Sequence, residues 1–112
     1  MSMRESYTAI LVQGEEWAGR CESEPYEAPW AAEAVLFLRL LDGTTTPGGI
    51  QARVQISPDG MHWVDEGATV DLPRGDEVTY TRVTVFGQYL RLVADLPNGV
   101  ACTLHATLSL KS

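Results

Sequence analysis

The chain has 112 residues, 45% of them hydrophobic, and its 15 acidic and 8 basic residues give a formal charge of −7. This length predicts a single domain, residues 1–112, that is large enough to bury a core. The negative charge argues against nucleic acid and anionic membranes as partners, because both select basic surfaces. No apolar run approaches the roughly 20 residues that cross a bilayer.

The first 31 residues are the least regular part of the sequence. Tyr7–Gln13 is typical of a first strand, and no apolar segment of the kind found in signal peptides precedes it. The segment from Gly14 to Trp30 combines five glutamates with two prolines and alternates weakly, so we expect short strands and an acidic loop. Its tryptophans, Trp17 and Trp30, are candidate interface residues.

Two strands are predicted in the middle of the chain. Ala32–Leu41 is apolar on both faces, which predicts a central strand covered on both sides. Its alanines and leucines would also suit a helix, but the strands around it favour a strand. Ile50–Ser57 alternates, and its apolar residues lie on one face: Ile50, Ala52, Val54 and Ile56.

The C-terminal half alternates most clearly. Glu77–Phe86 is rich in β-branched and aromatic residues, and Val100–Leu110 keeps a period of two over eleven residues. The stretch QYLRLVAD alternates Leu90, Leu92 and Ala94 with Tyr89, Arg91, Val93 and Asp95, and an Asn-Gly turn follows it. This pattern predicts an all-β protein, an antiparallel β-sandwich or jelly roll of about seven or eight strands.

The stretch QISPDGMHWVDEG predicts a hairpin. Pro58 presets φ for a turn, Asp59 follows, and Gly60 suits a left-handed position. We expect the return strand to begin at Met61 with Trp63 early in it, and the pattern leaves open whether that ring faces the core or a ligand.

No pattern for chemistry emerges. Asp59, Asp65 and Glu66 are candidate calcium ligands, but solvated turn acids explain them more simply. His62 and His105 lack a recognisable nucleophile or metal-ligand spacing, and we expect His105 on an exposed strand face. We therefore predict no catalytic, cofactor or metal residues and no enzyme.

Two short motifs resemble known families. The hairpin residues Ser57, Asp59, Gly60 and Trp63 with the later Tyr89, Leu90, Arg91 and Leu92 resemble the discoidin-like, or galactose-binding-like, β-sandwich. The same pair, within Ala32 to Leu110, is similar to a group of small structural proteins from tailed phages and phage-derived gene clusters. The motif residues that carry both resemblances are Ser57, Pro58, Asp59, Gly60, Trp63, Tyr89 and Arg91.

The phage resemblance implies a non-enzymatic structural protein of a virion or phage-derived shell. Such a protein would decorate or join other shell subunits, with the major capsid protein as the expected partner. It would be a homo-oligomer, with a trimer as one option, assembled in the bacterial cytoplasm and placed on the shell exterior. The discoidin-like resemblance implies the alternative, a carbohydrate-binding adhesion module with Trp17, Trp30 or Trp63 as the stacking platform.

Overall fold

The computed structural model describes residues 6–84 and 88–112, and all the regular elements in this part are β-strands. None of these residues belongs to a helix that could cross a membrane. The predicted all-β fold is confirmed, with nine strands because the acidic region contributes two short ones. The strands are β1 Ser6–Ala18, β2 Arg20–Glu22, β3 Tyr26–Glu27, β4 Glu33–Leu41, β5 Gln51–Ser57, β6 Val64–Asp71, β7 Thr79–Val83, β8 Tyr89–Asp95 and β9 Ala101–Lys111.

The strands form two antiparallel sheets that make a β-sandwich. The first sheet has the order β1-β9-β4-β7, and the second has the order β2-β8-β5-β6, with β3 also paired to β8. The chain passes repeatedly from one sheet to the other, and the first passage is between β1 and β2 at Gly19, whose φ is +63°. A left-handed φ costs glycine little, so the strand can turn sharply there.

Alternating residues from both sheets build the core between them. In β9, Cys102, Leu104, Ala106, Leu108 and Leu110 are at most 2% exposed, while the residues between them remain partly accessible. Full burial of a leucine side chain contributes about 1.5–3 kcal/mol. The face predicted for Val100–Leu110 is therefore confirmed.

The prediction that Ala32–Leu41 is covered on both sides is wrong. In β4, Leu36 and Leu38 are fully buried, but Phe37 on the opposite face is 38% exposed. A sandwich has only two layers, so each sheet has one inner face and one outer face. The apolar residues on the outer side of β4 therefore belong to the surface.

The strand predicted over Glu77–Phe86 is shorter in the structure. It is β7, Thr79–Val83, and residues 85–87, which include its predicted end, lie outside the described residues.

Candidate functional site

The hairpin loop is held by the side chains of Ser57 and Asp59. Ser57, 1% exposed, accepts hydrogen bonds at Oγ from the backbone N–H of Gly60, 2.8 Å, and of Asp59, 3.2 Å. Asp59 Oδ1 accepts from the N–H groups of Met61 and His62, both at 2.9 Å. These bonds occupy backbone donors that a strand would otherwise use. The return strand β6 therefore begins at Val64, and the predicted start at Met61 is wrong. Gly60 has the expected left-handed φ, +78°.

The Asp59 carboxylate is committed to the loop. Hydrogen bonds from the backbone N–H groups of His62 and Met61, and then from the His62 ring, hold the pKa of Asp59 well below its usual range. His62 Nδ1 lies 2.6 Å from Asp59 Oδ2, and the His62 side chain is 81% exposed. Because the carboxylate stays ionised and its oxygens already accept hydrogen bonds, it stabilises the loop and is poorly suited to proton transfer.

The three candidate calcium ligands face different partners. Asp65 accepts a hydrogen bond from Gln55 at 3.0 Å, whereas Glu66 accepts one from the N–H of Ala68 at 2.9 Å. No group of three or more histidine, cysteine or acidic side chains among residues 6–84 and 88–112 could hold a metal ion. Asp59 is therefore bonded within its own loop, Asp65 to a residue of β5 and Glu66 to a residue of its own strand.

The two halves of the sequence motif meet in space. Ser57 is the cross-strand partner of Tyr89, and the Tyr89 ring lies beside Gly60. Trp63 is half-buried, with the Arg91 guanidinium carbon 4.3 Å from its ring centroid. Pro58 is exposed at the start of the loop. The motif thus forms one structural unit on the second sheet, and Trp63 lies outside the core with a cation over its ring.

The outer face of the second sheet, which we call the paired face, is saturated with polar contacts. Arg53 Nη1 lies 3.0 Å from Asp95 Oδ2, and Arg91 Nη1 lies 3.2 Å from Glu22 Oε2. Arg91 Nε also donates to Gln55 Oε1 at 2.9 Å. Side chains that satisfy one another in this way leave few free groups for a ligand.

The burial of Val93 on this face differs from the prediction. The alternation of QYLRLVAD predicts it among the exposed residues, yet it is fully buried. Its cross-strand neighbours are Arg53 and Glu22, whose long side chains are engaged in ion pairs around it. The aliphatic parts of such side chains can cover an apolar residue while their charges remain in water.

The outer face of the first sheet is different and carries an apolar row. Ile10, Thr107, Phe37 and Tyr80 are cross-strand neighbours on β1, β9, β4 and β7. Ile10 is 52% exposed and Tyr80 63% exposed, and the rings of Phe37 and Tyr80 lie 6.2 Å apart between centroids. We call Ile10, Val35, Phe37 and Tyr80 the apolar face.

Cations lie around the apolar face and form no ion pairs within the described part of the chain. Arg39, Arg82 and Lys111 are exposed, and none has a carboxylate oxygen within 4.0 Å among the described residues. Arg82 and Lys111 line a shallow depression together with Val35 and Glu33. In a chain of charge −7, this concentration of unpaired positive charge distinguishes the face from the rest of the surface.

His105 lies on the same outer face and is less exposed than predicted. It is half-buried, and its Nδ1 is buried with no hydrogen-bond partner among the described residues. It lies opposite the irregular part of β1 between Val12 and Glu15. We attribute its reduced exposure to these register shifts, because a bulge changes the direction of a strand and its side chains.

The two tryptophans predicted as interface residues have different environments. Trp17 is 2% exposed inside the core, so the prediction of a surface role for its ring is wrong. Trp30 is 39% exposed and packs edge-on against Tyr7 with 6.4 Å between ring centroids. Only Trp30 of the two presents its ring to a potential partner.

Comparison with known families gives a match to the C-terminal part of the chain. Residues 43–109 match the family model described as "Domain of unknown function (DUF6385)", and a search of curated proteins found no match. The matched residues run from the loop after β4 almost to the end of β9, and they include the hairpin and the Tyr89–Asp95 strand. Since this is more than half of the chain, the protein belongs to the DUF6385 family.

Proposed function

We propose that the protein is a non-enzymatic structural component that assembles with other protein subunits through the apolar face of its first sheet. The proposed setting is a phage virion or phage-derived shell, as the sequence resemblance suggests, with the major capsid protein as partner. The observation that carries the proposal is the cross-strand row on that sheet in which Ile10, Phe37 and Tyr80, from three of its four strands, are exposed apolar side chains.

The composition of this face suits a protein partner. Contiguous apolar patches with a polar rim mark interaction sites, and aromatic residues and arginine are enriched where proteins bind one another. Phe37 and Tyr80 supply the aromatic area, and Arg39 and Arg82 supply part of the rim. The unpaired cations favour a partner surface that is acidic around an apolar centre.

The contacts around the hairpin support a non-enzymatic role. Within residues 6–84 and 88–112, the imidazole paired with a carboxylate is that of His62, whose partner Asp59 lies on an exposed loop and is held by backbone N–H groups. A catalytic dyad would need its base directed towards a nucleophile or substrate in a cleft.

The alternative, a carbohydrate-binding module, has less support. Sugar stacking requires an open aromatic ring, but Trp17 is buried and Trp63 has Arg91 over its ring. Trp30 is the tryptophan with the most accessible ring, and it already packs against Tyr7. A glycan array with the wild-type chain tests this alternative directly, and specific binding that Trp63→Ala abolishes would favour it.

The proposal is tested by asking whether the chain is part of a particle. Shell particles are purified from cells that make the wild-type chain or the Phe37→Ser/Tyr80→Ser variant, and the bound chain is quantified by mass spectrometry. The wild type should co-purify with the particles, and the variant should stay in the particle-free fraction while remaining folded.

The matched control removes two exposed apolar side chains elsewhere. Met61 and Val64, 77% and 60% exposed, lie at the hairpin of the second sheet, and Met61→Ser/Val64→Ser should bind particles as the wild type does. A wild-type chain that is absent from the particles, or a Phe37→Ser/Tyr80→Ser variant that binds equally well, would overturn the proposal.

A further inference from the structure

The free edges of the two sheets are protected unequally. The edge strand β6 contains acidic residues and a register shift, and β2 and β3 have only three and two residues. Beside β7, Glu66 accepts from the N–H of Thr84, and Thr79 Oγ1 donates to the carbonyl of Asp71. Charges, bulges, short strands and covering contacts are the usual devices that prevent a sheet edge from pairing with another chain.

Within the described residues, the beginning of β1 has no charge, no proline and no register shift, and its side-chain contact is that of Tyr7 with Trp30. It pairs only with β9 among the described strands, and residues 6–13 contain neither a charged residue nor a proline. The pairing of Ser6–Ile10 with β9 is regular, and the first register shift comes after Ile10. Tyr7 and Ile10 are 56% and 52% exposed. A regular, uncharged edge of this kind tends to acquire a partner strand.

We infer that residues 6–10 pair with the same residues of a second copy, antiparallel, about a two-fold axis at Thr8. Thr8 then opposes Thr8 of the other copy and Ser6 opposes Ile10, so side chains keep their own faces of the sheet. The result is a continuous eight-stranded sheet with the apolar row of each copy on one surface. This inference does not depend on the proposed function.

A second copy suits this edge better than an unrelated peptide because the stretch is compatible with itself. In an isologous contact any charge near the axis would face its own copy, and these five residues carry none. The charged residues nearest to Thr8 in the sequence are Glu5 and Arg4, three and four positions away, and because their signs are opposite they add no net charge beside the axis. Towards the other end of β1 the nearest acid is Glu15, seven positions from Thr8 or about 20 Å along the strand, which exceeds the Debye length of about 8 Å at physiological ionic strength.

The first test measures the mass in solution by light scattering and sedimentation. The wild type should have twice the 12.3 kDa mass of one chain, and Thr8→Lys, which places two ammonium groups opposite each other, should have the single-chain mass. Thr69→Lys is the matched control on the exposed side of the edge strand β6 and should remain dimeric. Circular dichroism of each variant checks that the β-structure is retained.

The second test gives a positive signal that does not depend on weakening the contact. Thr8→Cys, in a Cys21→Ser background, should form a covalent dimer under mild oxidation, because opposed residues of paired strands lie within disulfide reach. Thr69→Cys in the same background should stay a single chain. A monomeric wild type, a Thr8→Lys variant that stays dimeric, or a failure of Thr8→Cys to cross-link would each overturn the inference.

Discussion

The outer faces of the two sheets differ in the side chains that they expose to solvent. On the paired face, Arg53 and Arg91 are matched by Asp95 and Glu22, and the polar groups largely satisfy one another. On the apolar face, Ile10, Phe37 and Tyr80 are exposed beside cations that form no ion pair with any described residue. The comparison indicates that the paired face is stable in contact with water, whereas the apolar face gains most from contact with another molecule.

The largest expected effect concerns the core beneath both faces. Leu104→Ala should lower the free energy of unfolding by about 2–5 kcal/mol, because Leu104 is fully buried and the change leaves a cavity. Replacement of its neighbour His105, which points to the outer side, by alanine should lower the free energy of unfolding by less than about 1 kcal/mol. Chemical denaturation of both variants measures the difference, and equal losses would contradict the assignment of the inner and outer sides of β9.

A second effect concerns the hairpin that supports the paired face. Gly60→Ala should cost about 1–2 kcal/mol because alanine tolerates the φ of +78° poorly. An added Cβ would meet the Tyr89 ring at 3.7 Å, an ordinary contact, so backbone strain is the expected cause. A denaturation curve unchanged from that of the wild type would show that the loop relaxes without cost.

A smaller effect should appear between Trp63 and Arg91. A double-mutant cycle with Trp63→Ala and Arg91→Ala should give a coupling energy of about 0.5–1 kcal/mol, as expected for a cation above a partly exposed ring. None of the three variants should lose binding to particles, since both residues belong to the paired face. Loss of particle binding in either single variant would show that the second sheet, and not the first, carries the binding surface.

The Asp59 carboxylate should make a pH-dependent contribution that solvent screening keeps small. Because its folded pKa is depressed by hydrogen bonds from the loop, its stabilisation is present above the unfolded pKa of about 3.9 and is lost as the pH falls further. Asp59→Asn keeps an acceptor oxygen but removes the charge. The stability difference between wild type and variant should therefore shrink below about pH 4, and a difference independent of pH would contradict this account.

The smallest effect on stability is expected on the apolar face itself. Tyr80 is 63% exposed, so Tyr80→Ser should change the free energy of unfolding of the isolated chain by no more than about 0.5 kcal/mol. In thermal melts of the chain alone the variant and the wild type should nearly coincide, whereas particle binding should weaken. A strongly destabilised variant would show that Tyr80 supports the fold.

The sequence was most informative where one alternating strand defines its own faces. Val100–Leu110 predicts its buried side correctly because the period of two is unbroken over eleven residues. The faces of Ala32–Leu41 could not be predicted in the same way, since apolar residues on both sides do not tell whether another layer covers the sheet. The start of β6 at Val64 could not be predicted either, because it depends on hydrogen bonds from the Met61 and His62 N–H groups to the Asp59 side chain.

The candidate site was harder to predict than the fold. The sequence left the direction of the Trp63 ring open, and the structure places it against Arg91 on the second sheet, where the two residues contact each other. The apolar row joins residues from Ile10 to Thr107 that only the strand pairing places side by side. Exposed apolar residues in a strand look like core residues in the sequence, so no local pattern marks this face.

The most direct test of the central claim is hydroxyl-radical footprinting of the chain, free and bound to purified particles. We expect oxidation of Phe37 and Tyr80 to fall on binding, while oxidation of Met61 and Trp63, in the hairpin loop of the second sheet, stays the same. Protection of Met61 and Trp63 with no change at Phe37 and Tyr80 would contradict it, because the paired face would then be the one that binds.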